Sequence, residues 1–90
     1  MSIENTLSDR SKTHGSFVDN AAMSQALMRE VRAGKNWDKL TDVQREALQM
    51  IMHKVSRLMS GDHLNLDTMH DIVGYAKLME AACANGNTAQ

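Results

Sequence analysis

Proline is absent from the 90-residue chain, and cysteine occurs once, at Cys83. A single thiol cannot close an internal disulfide, so the fold must hold without a covalent cross-link, and a reducing cytosol suits it best. Aromatic residues are scarce as well: Phe17, Trp37 and Tyr75 are the full set. That scarcity argues against a β-sandwich or barrel. The longest nearly apolar stretch, Ala47 to Met52, is interrupted by Gln49 and is far too short to span a bilayer. Residues 1–10 are polar and show no secretory signal. Neither sign of charge dominates: 10 Lys and Arg stand against 11 Asp and Glu, a net charge of -1. No global field therefore drives the chain toward nucleic acid or an anionic membrane, and neither is expected as a partner. Glycine-rich phosphate loops are missing, and no repeat of solenoid or propeller length is visible.

Helix-forming residues are abundant. Eight Met accompany many Ala, Leu, Gln, Glu and Lys, and 42% of the chain is hydrophobic, too much for a disordered segment of this charge. The expectation is an all-α protein, a three-helix bundle in one domain over residues 16–83. A flexible N-terminal arm over 1–15 precedes it, and a polar tail over 84–90 follows. Ser16 reads as the first N-cap, with Asp19 in the first turn and Val18, Ala22, Met23, Ala26 and Val31 on the apolar side. Gly34 stops that helix, and Trp37 covers the end of the core. Thr41 and Gln44 form a capping box for the second helix, whose stripe is Ala47, Leu48, Ile51, Val55, Leu58 and Met59, widened by Met50 and Met52. Gly61 is placed as its C′ residue, and the short loop that follows favours antiparallel neighbours. Asp67 reads as the cap of the third helix, with Met69, Ile72, Val73, Ala76 and Met79 inward. Cores of this size seldom supply more than ~3–5 kcal/mol, so the broad apolar face of the second helix points to a homo-oligomer.

Several polar residues could carry chemistry. His53, Lys54 and Arg57 share the narrow polar side of the second helix, with Glu46 one or two turns back. Asp67, Asp71 and Tyr75 follow at successive four-residue steps on the third. Facing stripes of this kind admit two readings: an Arg57–Asp71 pair that braces the helices, or a cleft that holds an anion by Lys54 and Arg57 and a sugar or base by Asp71 or Tyr75. Gly74, inside the third helix, costs about 1 kcal/mol relative to Ala and suggests close approach or ligand room beside Tyr75. Arg10, Lys12 and His14 form a small basic cluster that could fold over such a cleft. His63, Asp67, His70 and Asp71 lie close in sequence without metal-ligand spacing, so no metal site is expected. Cys83 reads as a passive thiol, and no nucleophilic triad is legible.

The segments D-R-S-K-T-H-G-S-F (Asp9 to Phe17), H-K-V-S-R-L (His53 to Leu58) and D-T-M-H-D-I-V-G-Y-A-K-L (Asp67 to Leu78) resemble a family of small phage and prophage proteins. Its members carry an R…YG segment, a K-x-x-R helix and a D-x-x-x-D-I-x-G-Y-A helix. The resemblance covers residues 9–82, and its shared polar positions are Arg10, Gly15, Lys54, Arg57, Asp67, Asp71 and Tyr75. His14 stands where the family has Tyr. More distantly, the arrangement is similar to MazG-like nucleoside triphosphate pyrophosphohydrolases, which bind Mg²⁺ through an E-x-x-E pair; here Glu46 is followed by Gln49. The cationic stripe opposite the acidic one, taken with this resemblance, leads to the expectation of a non-catalytic phage accessory protein of the host cytoplasm that binds a nucleotide-like anion and needs no cofactor. Arg10, His14, Lys54, Arg57, Asp67, Asp71 and Tyr75 form its candidate site. One alternative is an Mg²⁺-dependent pyrophosphohydrolase with Glu46, Asp67 and Asp71 as ligands; another is a module that inhibits a host enzyme.

Overall fold

Four α-helices follow one another in the computed structural model, which describes residues 2–84: α1 (Ile3–His14), α2 (Phe17–Arg32), α3 (Asp42–Ser60) and α4 (Leu66–Ala84). A 3₁₀ turn at Trp37–Lys39 joins α2 to α3, and no strand occurs among the described residues. The all-α expectation holds, but the count of three helices does not. The segment read as an arm contains α1. Ser2 Oγ accepts from the Asn5 amide at 3.1 Å, Glu4 sits at the positive end of the helix dipole, and Lys12 and His14 sit at the negative end. No residue of α1 is buried. Local capping shapes it without an apolar stripe, so hydrophobic periodicity cannot reveal it. The tail read over 84–90 lies outside the described residues beyond Ala84.

The other caps show how closely sequence chemistry sets helix ends. Ser16 Oγ accepts from the Asp19 amide at 3.1 Å. Thr41 and Gln44 complete their capping box, with Thr41 N donating to Gln44 Oε1 at 2.9 Å and Gln44 N donating to Thr41 Oγ1 at 3.2 Å. The α4 cap is Asn65 in place of Asp67: its Oδ1 accepts from the Thr68 amide at 2.8 Å and from the Thr68 hydroxyl at 2.9 Å. Asn65 and Asp67 are both good cap residues, and only the three-residue reach to Thr68 selects between them.

α3 is the central helix, packed against α2 on one side and α4 on the other. Gln44 meets Cys83 at 3.4 Å and Lys54 meets Asp71 at 3.0 Å, which shows that α3 and α4 run antiparallel. The interior is narrower than the apolar stripes imply. Among the described residues the buried apolar side chains are Met28 and Ala47; the buried polar ones are Asn20, Ser24, Thr41, Ser56 and Thr68. On α2 the buried line is Asn20, Ser24 and Met28, whereas Val18 and Met23 face outward. Small hydroxyl residues bring the backbones close and satisfy themselves locally, as Ser56 does by donating to the His53 carbonyl at 2.6 Å. Leu48, Ile51, Val55 and Leu58 are half-buried, while Met59 and Val73 are exposed. The molecule is elongated, 45 × 24 × 24 Å, with a radius of gyration of 15.0 Å where about 12 Å suits a compact chain of this length.

Two glycines lock the corner between α1 and α2 onto the end of α3. Gly15 adopts a φ of 81°, and a Cβ there would collide with the Ser60 backbone; one at Gly61 would collide with Thr13 and His14. Gly61 does end α3, but with a φ of -119°, so close approach and not a left-handed C′ geometry requires glycine here. The Asp62 amide then donates to the Thr13 carbonyl at 2.8 Å.

Candidate anion-binding cleft

That glycine contact places the last turns of α1, the start of α2 and the second half of α3 around one cleft of about 510 Å³. Arg10 and His14 enter it from α1, Phe17 and Asn20 from α2, and His53 and Arg57 from α3. The spacing explains the convergence. Arg10 and His14 are one turn apart on α1, as are His53 and Arg57 on α3, so each pair shares a face. The volume lies within the range of small-molecule sites.

The cleft is electropositive. Ion pairs among the described residues are Lys12–Asp9 and Lys54–Asp71, which leaves Arg10 and Arg57 without a carboxylate partner. His14 is held below the usual imidazole pKa, first by burial and then by Arg57, Arg10 and Lys54. His53 is lowered in the same way, by burial, Arg57, Lys54 and His14. Both imidazoles are therefore largely uncharged near neutral pH, and the fixed charge belongs to the guanidinium groups.

Asn20 anchors the wall between α1 and α2. Its Nδ2 donates to the His14 carbonyl at 2.6 Å, and the residue is only 7% exposed. Its Oδ1 and the His14 Nδ1 are both buried without a hydrogen-bond partner. The N-terminus of α2, the positive end of its dipole, lies at this end of the cleft.

Of the seven candidate residues, Arg10, His14 and Arg57 line the cleft together. Lys54 lies within electrostatic reach of both histidines, but its side chain is only 12% exposed and its ammonium pairs with Asp71 at 3.0 Å. The brace between α3 and α4 is thus Lys54–Asp71, not Arg57–Asp71. Asp71 and Tyr75 lie instead along an open face formed by α4 alone, with His70, Gly74, Lys77 and Leu78, and Asp67 is exposed in the first turn of α4. A Cβ at Gly74 would meet open space, so no close helix approach occurs there among the described residues. Sequence reasoning noticed His53 but missed Phe17 and Asn20 as wall residues. Asn20 heads the buried line Asn20, Ser24 and Met28, set at four-residue steps, which reads as a mixed face until α3 is packed against it.

No group of three His, Cys, Asp or Glu side chains capable of holding a metal comes together among the described residues. No helix of the described residues is long and apolar enough to cross a membrane. No family model matches this chain, and no curated protein or solved structure matches it.

Proposed function

We propose that the protein is a non-catalytic phage accessory protein that binds a nucleotide-like anion in the cleft between α1, α2 and α3. The observation that carries this reading is the pair Arg10 and Arg57, two guanidinium groups without carboxylate partners at one concave site. Paired guanidinium groups suit phosphate oxygens through charge-assisted, bidentate bonds. Phe17, 81% exposed at the rim, offers a ring on which a base can stack. The resemblance of three segments to small phage proteins supports a setting in the host cytoplasm, where the protein sequesters a nucleotide immune signal or adjusts a nucleotide pool. Calorimetry against mononucleotides, cyclic oligonucleotides and ADP-ribose derivatives tests the proposal, and an absence of heat with all of them refutes it.

The Mg²⁺-dependent pyrophosphohydrolase reading finds no matching geometry. The Lys54–Asp71 and Gln44–Cys83 contacts set the register of α3 against α4. In that register Glu46 lies about 12 Å along the helix axis from the level of Asp71, too far for one ion to bridge. Inhibition of a host enzyme rests on the exposed apolar faces alone, and pull-down from host lysate separates it from nucleotide binding.

The same faces favour a homo-oligomer. Val18, Met59, Leu64, Leu66, Val73 and Leu78 are exposed. Exposed apolar area of this kind marks an association surface.

A further inference from the structure

Building on the nucleotide-anion reading, we infer that the cleft selects a phosphomonoester dianion and takes up a proton when it binds, with His14 as the group that becomes charged. Four heads line one cleft, and two of them, Arg10 and Arg57, carry fixed charge. The other two, His14 and His53, can answer the charge of what enters.

The surroundings of His14 define its response. Its own helix contributes Arg10, and α3 contributes His53, Lys54 and Arg57. From α2 comes uncharged Asn20, with Asp19 exposed in the first turn; on α4, Asp71 is engaged by Lys54. Positive neighbours and burial together oppose a proton on His14. A bound dianion offsets that positive field and so favours the imidazolium.

An independent feature of the wall fits the charged state. The Asn20 Nδ2 bond to the His14 carbonyl fixes the amide orientation, so Oδ1 is an acceptor with no donor. His14 Nδ1 is likewise buried and unpaired. An imidazolium donates from both ring nitrogens. Neither buried atom has a partner within hydrogen-bond distance, so an imidazolium Nδ1–H pairs with Asn20 Oδ1 after a small shift of the wall, which leaves Nε2–H for the anion. A neutral imidazole donates from one nitrogen only, so donating to the wall and to an anion at once requires the imidazolium. The balance is simple: one proton moves from solvent to His14, and no covalent bond changes. A terminal phosphate carries close to two negative charges at neutral pH, whereas a cyclic diester carries one. The second charge is what favours protonation of the histidine.

Calorimetry on the full chain at about pH 7.5 decides the matter, because the free monoester is then almost wholly dianionic. The probes are adenosine 5′-monophosphate and adenosine 3′,5′-cyclic monophosphate, each titrated in two buffers of different ionisation enthalpy. The expected result is a monophosphate heat that differs between buffers in the direction of proton uptake, with affinity about tenfold above that of the cyclic diester, the equivalent of one pKa unit. His14→Gln keeps the backbone carbonyl that Asn20 uses, and it should fold, bind the monophosphate more weakly and lose the uptake. Equal heats in the two buffers, or equal affinity for the two nucleotides, overturns the inference while leaving nucleotide binding intact. Undiminished uptake by His14→Gln overturns the assignment to His14. No heat from either nucleotide overturns the inference, and the nucleotide-anion reading falls with it only when cyclic oligonucleotides and ADP-ribose derivatives also give none.

Discussion

Lys54 Nζ lies 3.0 Å from Asp71 Oδ2, and this ion pair ties α3 to α4 on the side of α3 that leaves Arg57 facing the cleft. Two cations three residues apart on one helix thereby take different surroundings. The Lys54 side chain is nearly enclosed, at 12% exposure, while the Asp71 side chain is 48% exposed. The pair is neither a surface bridge nor a buried one.

Its removal should show that intermediate character. Asp71→Ala leaves an enclosed ammonium unpaired, and the expected loss in urea unfolding is about 1–3 kcal/mol, between exposed and buried pairs. Arg57→Ala removes no carboxylate contact and should cost no more than about 1 kcal/mol. Arg57→Ala should instead weaken phosphate-bearing ligands, and binding to the unaltered protein should weaken as salt rises. A large loss of stability from Arg57→Ala with affinity unchanged would contradict the cleft.

The glycines make opposite predictions. Gly61→Ala pushes a methyl group into the backbone of Thr13 and His14, and about 3 kcal/mol or more of stability should disappear. Gly74→Ala enters open space in the middle of α4 and should stabilise the folded chain by up to ~1 kcal/mol through helix propensity. Thermal melts of the two variants check both signs.

Light scattering at micromolar concentration should give at least twice 10.0 kDa. Val73 and Leu78 are exposed within one chain, so lysine at either position should leave the helical circular dichroism intact and lower the mass toward the monomer. A monodisperse monomer before any substitution rules out the assembly.

Stability should fall on acidification through the histidines. His14 and His53 both sit below their ordinary value of 6.5, so the unfolded chain binds protons more readily. Their contribution is complete well above pH 6.5, declines as pH drops through 6.5, and stops declining below the folded values. The double variant His14→Gln, His53→Gln should show a flatter dependence of melting temperature on pH between these limits. An unchanged slope would assign the acid sensitivity to other groups.

Helical character, the caps Ser16 and Thr41 and the antiparallel order of the last two helices are legible in the sequence, because each depends on residues within a turn or a short loop of one another. The polar helix α1 is not: it buries no residue of its own, and periodicity responds only to a buried face. The identity of the buried line on α2 was equally hidden, since Asn20, Ser24 and Met28 read as a mixed face until α3 is set against them. For the candidate site, the sequence by itself determined that basic residues recur one turn apart, Arg10 with His14 and His53 with Arg57. It did not determine which of these pairs meet, or that Lys54 turns to Asp71. Tertiary structure decided that through the contact of Gly15 and Gly61 with the facing chain, which brings α1 onto the end of α3. Charge convergence across helices depends on where backbones cross, and that crossing is set by which side chains are small enough to let them touch.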